Sequence, residues 1–283
     1  MTANRPLNDA EALAALEWYR AVGVDVAVGE LPVDRFATSQ IVPRRVATAE
    51  GGTSGAAAAI LNRATPPAPV AEAPAIIVNA DPSETRALAA EAKTLDELRA
   101  IMEAYDGCVL KKRATQLVFA DGNPEAEIML VGEGPGADED RIGKPFVGRA
   151  GQLLDRMLAS IGLDRTKVFI ANMVPWRPPG NREPTPEEMA LCTPFLHRQI
   201  ELVAPKILVT LGNVPTQSLF DTKAGITRTR GQWRQLTVNS HTMQAIATLH
   251  PAYLLRQPAA KAQAWRDMLA LKAMITKEVS AGF

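Results

Sequence analysis

The segment Ile128-Met129-Leu130-Val131-Gly132-Glu133-Gly134-Pro135-Gly136 decides how this 283-residue chain is expected to fold. An apolar run that ends in a glycine-rich turn is typical of a buried α/β strand with a site at its end. Glycines such as Gly134 and Gly136 let a ligand approach the backbone closely. The usual ligand, phosphate, would be repelled by the acids at positions 133 and 138–140. The turn therefore indicates an uncharged ligand or a centre that becomes positive, unless it is an ordinary solvated turn.

The pattern after this segment alternates between strands and helices. Further strand-like runs are Val168–Ala171, Ile207–Leu211 and Ala245–Leu249, and helical patterns cover Gly148–Ile161, Pro186–Val203 and the residues from Ala259 onward. Short apolar strands that alternate with helices favour a mainly parallel sheet covered on both faces. The sequence therefore predicts an α/β fold with four central strands.

Composition divides the chain into three parts. We expect residues 1–43 to form a small, partly helical N-terminal segment, and the Ala/Pro-rich residues 44–87 to form a flexible linker. Residues 88–283 are the predicted catalytic domain, which begins near the capping box of Thr94 and Glu97. No apolar run is long enough for a membrane, and no signal peptide pattern is present, so we expect a cytoplasmic protein. Two cysteines and zero formal net charge argue against a disulfide framework and a whole-molecule basic field.

Three positions near the predicted strand ends carry groups suited to a nucleobase. Phe146 is either a core residue or a platform on which a base stacks. Asn172 either caps a turn or reads a base edge, because its amide offers both a donor and an acceptor. A fixed amide matches the O4 and N3–H of uracil and mismatches cytosine. Glu139 is our candidate for the group that blocks the 5-methyl of thymine.

Two loops carry groups suited to DNA. The loop Arg177–Arg182 is either a surface turn or a phosphate-binding loop in which Arg177 and Arg182 act. The segment His250-Pro251-Ala252-Tyr253-Leu254-Leu255-Arg256 follows the last predicted strand. Its histidine leaves the sheet at the end where α/β sites gather. Leu254 and Leu255 are either core residues or wedges that enter the base stack.

Taken together, these segments resemble the family 4 uracil-DNA glycosylases. The resemblance runs from about Ala104 to Met268 and also includes Asp121–Pro124, Pro145–Gly151 and the stretch from Gly225 to Gly231. It implies a monomeric three-layer α/β/α fold that flips uracil out of DNA and hydrolyses its N-glycosidic bond as a repair step. The expected product is an abasic site.

The resemblance also implies roles for individual residues. Glu133 would position or activate water or stabilise the sugar cation, and His250 would stabilise the departing base. Phe146 would stack on uracil and Asn172 would read its edge, while the backbone at Gly134 and Gly136 lines the site. The DNA-penetrating loop would contain Tyr253, Leu254, Leu255 and Arg256.

The chain departs from the family at its iron–sulfur ligands. Family members hold a [4Fe–4S] cluster on four cysteines, and only Cys108 and Cys192 match, with Tyr105 and Trp176 at the other two positions. Two thiolates cannot supply four ligands, so we expect no cofactor and no metal. Two alternatives to a monofunctional glycosylase remain. One is a non-catalytic binder of deaminated or abasic DNA, and the other is a nucleotide-phosphate-binding enzyme.

Overall fold

One mixed sheet organises the computed structural model, which describes residues 81–281. In this range its strands are β1 (Asp121–Gly122), β2 (Ile128–Gly132), β3 (Phe169–Asn172), β4 (Ile207–Leu211), β5 (Arg234–Val238) and β6 (His241–Thr248). The spatial order is β1-β3-β2-β4-β6-β5. The four inner strands run parallel, as predicted. Each contains an apolar run that is buried on both faces, although β6 begins at the half-buried His241, before its predicted start at Ala245.

The two edge strands correct the predicted strand count from four to six. Both β1 and β5 pair antiparallel with their neighbours. The first spans only two residues, and the second alternates between half-buried and exposed side chains until Val238. A half-exposed edge strand carries no apolar run, so it gave no strand signal. The α/β class with helices on both faces is confirmed.

Helices cover both faces of this sheet. Within the described range they are α1 (Pro82–Glu91), α2 (Leu95–Ala104), α3 (Val109–Arg113), α4 (Ala137–Ile142), α5 (Arg149–Ala159), α6 (Pro186–Val203), α7 (Asn213–Leu219), α8 (Ile226–Thr229), α9 (Pro251–Arg256) and α10 (Lys261–Ala281). One core joins α6 and α7 to the sheet, and another joins α5 and α10 to it. No helix in residues 81–281 combines the length and apolar character needed to cross a membrane.

The first helices show where the predicted linker needs correction. Helix α1 begins at Pro82, with the Asp81 side chain accepting a hydrogen bond from Ser83 N, so it overlaps the range 44–87. The capping residue Thr94 accepts from Glu97 N at 3.2 Å and starts α2 as its sequence predicts. A proline at the first helical position and an acidic N-cap explain why a helix begins at Pro82, inside the range predicted as linker. Residues 1–80, including the helix expected near their start, lie outside the described residues.

Candidate functional site

A cavity of about 660 Å³ opens at the carboxyl ends of the parallel strands. Its walls come from the segments that follow β2, β3, β4 and β6, which is where doubly wound folds place their sites. It brings together most of the predicted residues, namely Glu133, Gly134, Gly136, Glu139, Phe146, Asn172, Arg182, His250, Tyr253 and Arg256. Strand register explains part of this convergence, because Gly132 pairs with Asn172 and Leu211 pairs with Thr248.

Gly132, which directly precedes the cavity residue Glu133, packs against two of the predicted recognition residues. A Cβ atom at this position would lie 2.5 Å from Asn172 Oδ1 and 2.6 Å from Phe146 Cζ, so only glycine leaves room for both. Phe146 has a left-handed φ of 55°, which non-glycine residues rarely adopt, and its side chain is buried in the cavity wall. The backbone is therefore strained at the residue that presents the aromatic face.

The amide oxygen of Asn172 has no partner within the described part of the protein. Asn172 is 5% exposed, and its buried Oδ1 has no hydrogen bond to residues 81–281. A buried acceptor without a partner typically costs about 1–3 kcal/mol. Since Asn172 lines the cavity, a ligand with an N–H donor would remove that cost.

His250 is held as a neutral hydrogen-bond donor. Its Nδ1 accepts from Ala252 N at 3.1 Å and caps α9, so in the neutral ring the proton lies on Nε2. Burial, with a smaller contribution from Arg256, lowers the pKa of His250 from 6.5 to about 4. The ring centroid lies 5.6 Å from that of Phe146, with the planes tilted by 32°. At neutral pH this side chain donates a hydrogen bond without carrying a charge.

Glu133 supplies a partly desolvated carboxyl group in the cavity wall. Burial raises the pKa of Glu133, the nearby Glu183 raises it further, and Arg256 opposes both. The loop itself is anchored, because Glu133 O accepts from Val174 N at 3.1 Å. A desolvated carboxylate interacts strongly with a positive centre that develops beside it.

The other acids of the first motif have structural partners. Glu139 lines the cavity and accepts hydrogen bonds from the backbone N–H groups of Gly136, Val147 and Gly148, at 2.9–3.1 Å. Asp140 is buried and accepts from Thr115 N and Oγ1, both at 2.8 Å. Asp140 therefore binds Thr115 and does not line the cavity. Thymine exclusion by Glu139 stays a prediction.

The two predicted phosphate contacts differ in position. Arg182 lies in the cavity wall and forms a bidentate pair with Glu188, with distances of 2.6 and 2.8 Å. Arg177 lies outside the wall, and its Nε donates to Asn181 Oδ1 at 2.7 Å. Arg177 is half-buried and Arg182 is exposed, so both are accessible to solvent, and phosphate binding by either stays a prediction.

The two predicted wedge residues separate clearly. Leu254 is 1% exposed and packs with Leu249, Ala260 and Ala264, so the structure assigns it to the core. Leu255 is 38% exposed, as is Tyr253, on the same short helix α9. Helical geometry turns adjacent residues by 100°, which buries one leucine and exposes the next. The expectation that Leu254 reaches DNA is therefore corrected, and the wedge hypothesis rests on Leu255.

Two segments of the wall contain residues that the sequence analysis did not assign to the site. Gly212 and Asn213 follow β4, and Ile226 and Thr227 begin α8. The first pair had a signal, since a glycine directly after an apolar strand is the same pattern as at Gly132. The second pair lies in the stretch from Gly225 to Gly231 that the resemblance includes, but nothing local indicates that these two residues border a cavity.

The residues at the expected iron–sulfur positions form a packed cluster of side chains. This thiol–aromatic cluster comprises Tyr105, Cys108, Trp176, Cys192 and Phe195. The two Sγ atoms lie 4.0 Å apart. The ring of Tyr105 stacks on that of Trp176 with a centroid distance of 6.3 Å, and it packs edge-on against that of Phe195 with a centroid distance of 5.3 Å. Contact with Cys108 and burial raise the pKa of Cys192 well above its usual value. With Tyr105 and Trp176 at two of the four ligand positions, the two remaining thiols do not fit an iron–sulfur cluster that needs four thiolates.

Comparisons with known proteins agree with the resemblance. The model of the uracil DNA glycosylase superfamily matches residues 119–269. The type-4 uracil-DNA glycosylase of Archaeoglobus fulgidus is 43% identical over 170 residues, which cover 59% of this chain and 85% of that protein. The type-4 enzyme of Thermotoga maritima is 45% identical over 150 residues, which cover 53% and 77%. A type-5 uracil-DNA glycosylase of Thermus thermophilus is 33% identical over 114 residues, which cover 35% and 52%.

Proposed function

The chain belongs to the uracil DNA glycosylase superfamily, and we propose that it excises uracil from DNA by hydrolysing the N-glycosidic bond. The observation that carries this proposal is the juxtaposition, in one cavity, of an unpaired amide oxygen at Asn172, an aromatic face at Phe146 and a neutral donor at His250. Each group matches one requirement for binding and releasing a flipped uracil.

Base recognition follows from the amide. Asn172 Oδ1 accepts from N3–H of uracil, and Nδ2 donates to O4, so both groups of the amide are satisfied. Cytosine presents an acceptor at N3 and a donor at N4, which leaves Oδ1 opposite a lone pair. Mismatching a buried polar group discriminates more strongly than losing an apolar contact. Phe146 stacks on the base plane, and Glu139 fixes the adjoining turns through their N–H groups.

Bond cleavage follows from the two ionisable groups. As the glycosidic bond breaks, the sugar becomes positive and the uracil ring becomes negative. His250 donates from Nε2 to the departing base, and, being neutral already, it keeps this role across the physiological pH range. Glu133 stabilises the sugar cation or positions the water that attacks it. The backbone at Gly134 and Gly136 lets the sugar approach this carboxylate.

DNA binding involves the rim of the cavity. Arg182 and Arg177 bind phosphates and position the strand. Leu255 fills the space that the flipped nucleotide leaves, with Tyr253 and Arg256 beside it on α9. We propose that no cofactor takes part, because the thiol–aromatic cluster fills the region that would hold one. The monomeric state, the cytoplasmic location and the independence of residues 88–283 stay predictions.

An oligonucleotide assay tests the proposal. A strand with one uracil, alone or paired, is incubated with the protein and then cleaved by alkali at abasic sites. We expect cleavage at uracil, little at cytosine, and weaker discrimination between the two with Asn172→Asp. Thr85→Val, which removes a buried hydroxyl contact with Tyr105 far along the chain from these motifs, is the control for a nonspecific loss. Tight binding of uracil DNA without cleavage would instead indicate a non-catalytic binder.

A further inference from the structure

Two separate segments converge on one buried carboxylate, Asp267 of α10. This residue is 3% exposed. Arg230 pairs with it through Nε and Nη2, at 3.0 and 2.6 Å, and also donates to Gln263 O on the same helix. Thr248 Oγ1 donates to Asp267 Oδ2 at 2.7 Å. None of these side chains lines the cavity, so the chemistry described above leaves Asp267 without a role.

The Thr248 contact fixes the strand end that carries His250. Thr248 is the last residue of β6, and its carbonyl oxygen accepts from Gly212 N at 2.9 Å. Gly212 in turn supports the histidine, because a Cβ atom on Gly212 would lie 3.0 Å from His250 Cβ. The hydroxyl of Thr248 therefore anchors the backbone two residues before the imidazole.

The Arg230 contact fixes the opposite segment of the wall. Arg230 directly follows α8, whose first residues Ile226 and Thr227 line the cavity. Gly231 N donates to Ala247 O at 2.9 Å, and this glycine has a φ of 71°. A Cβ atom on Gly231 would lie 2.6 Å from Asp267 Oδ1, so glycine allows the carboxylate to sit against the turn.

We propose that Asp267 is a positioning residue for base release, since it ties the strand end that bears His250 to the α8 wall of the same cavity. This inference rests on the proposed uracil excision. A neutral donor stabilises a developing anion only when it is already aligned, and a shift of about 1 Å at such a group typically costs up to a hundredfold in rate. The carboxylate acts through Thr248 and Arg230 and touches no substrate.

The choice of variant avoids a buried unpaired charge. Replacing Asp267 would leave the guanidinium of Arg230 without its charged partner. Because the Arg230 side chain is only 15% exposed, this would destabilise the fold. Thr248→Val keeps the side-chain volume and the Arg230–Asp267 pair, and removes only the hydroxyl that holds the strand end. Thr248→Ser restores that hydroxyl. Thr85→Val is the matched control, because it removes another buried threonine hydroxyl, in the distant α1.

The test measures single-turnover uracil release and the half-saturating protein concentration for the four full-length proteins. We expect Thr248→Val to slow release at saturation by about tenfold or more, with half-saturation nearly unchanged, since the defect lies in alignment. Thr248→Ser and Thr85→Val should stay within about twofold of the unmodified protein. A Thr248→Val rate equal to that of Thr85→Val would overturn the inference.

A second readout separates this inference from the proposed function. Nitrogen-15 NMR of the His250 ring reports its environment whether or not the protein releases uracil. We expect the ring signals to move or broaden in Thr248→Val and not in Thr85→Val. Unchanged ring signals would contradict the positioning role by themselves. An unmodified protein that releases no uracil would contradict the proposed function alone.

Discussion

The cavity and the thiol–aromatic cluster are both built from side chains of the same domain. They differ in whether those side chains have packing and hydrogen-bond partners within the protein. In the cluster, Trp176 and both cysteines are almost fully buried, and the two thiols contact each other. The hydroxyl of Tyr105 forms a hydrogen bond with that of Thr85. In the cavity, Asn172 keeps an unpaired oxygen, Phe146 has a strained φ and His250 has a displaced pKa. The contrast indicates that the cluster contributes to stability and the cavity to rate.

The largest expected effect tests the cluster. Trp176→Ala should lower the free energy of unfolding by roughly 3–5 kcal/mol, because it removes a large side chain from a closed core. Uracil release per folded molecule should change little. Chemical denaturation and the excision assay, carried out on the same samples, measure both quantities.

The control for Trp176→Ala replaces both thiols of the cluster and nearly keeps its side-chain volume. Cys108→Ser together with Cys192→Ser should leave activity largely intact at some cost in stability, and the unmodified protein should be active without iron. Stoichiometric iron with visible iron–sulfur absorption would contradict this interpretation of the cluster.

The next effect tests the cavity. His250→Ala should slow uracil release by about 100–1,000-fold, since one preorganised donor at a developing anion is worth roughly 3–4 kcal/mol. Its melting temperature should fall far less than that of Trp176→Ala. Single-turnover kinetics give the rate, and a change of only a few fold would mean that the histidine is structural.

The two adjacent leucines of α9 are expected to differ in the same way, one contributing to stability and the other to the rate of excision. Leu254→Ala should lower stability by roughly 2–5 kcal/mol, because it opens the core around Leu249. Leu255→Ala should leave stability unchanged and slow excision from U·A duplex several-fold more than from single strands, where unstacking is less costly. Equal losses on both DNA substrates would remove the wedge hypothesis for Leu255.

The pH dependence sharpens the assignment of His250. Its lowered pKa of about 4 keeps the ring neutral above about pH 5. As the pH falls toward 4, protonation of Nδ1 removes the acceptor for Ala252 N that orients the ring, while Nε2–H remains a donor. Because the pKa of Glu133 is raised, its carboxylate also becomes protonated as the pH falls. We expect a rate that is level around neutral pH and falls on the acidic side, where Glu133 and then His250 become protonated. His250→Gln, whose amide does not titrate, should retain only the Glu133 contribution to the fall.

The smallest effect concerns the N-terminal residues. A chain that begins at Ala80 keeps Asp81, the N-cap of α1, and all of the cavity. Uracil release should therefore stay within a few fold of that of the full chain. A hundredfold loss in a truncated protein that remains folded would show that residues 1–79 contribute to the site.

Sequence reasoning succeeded where a signal is local. The run Ile207–Leu211 is a strand with the predicted bounds, because continuous burial requires a continuous apolar stretch. The half-exposed β5 gave no such signal. The ends of apolar runs located Glu133, Asn172 and His250, since the carboxyl ends of parallel strands share one edge.

Long-range pairing explains what the sequence could not supply. The contacts of Glu139 with Val147 and Gly148, and of Arg230 with Asp267, join residues whose spacing follows no helical or strand period. Which of Leu254 and Leu255 is buried depends on how α9 packs against the core, and a short helix with adjacent leucines is compatible with either.

Mass spectrometry of the DNA product tests the central claim most directly. The full chain is incubated with an oligonucleotide that contains one uracil, and the DNA and the small-molecule fraction are both weighed. The account predicts free uracil and an otherwise intact strand whose uracil has been replaced by a hydroxyl group. Unchanged DNA bound to the protein, or a covalent adduct of the protein with the strand, would contradict a monofunctional glycosylase.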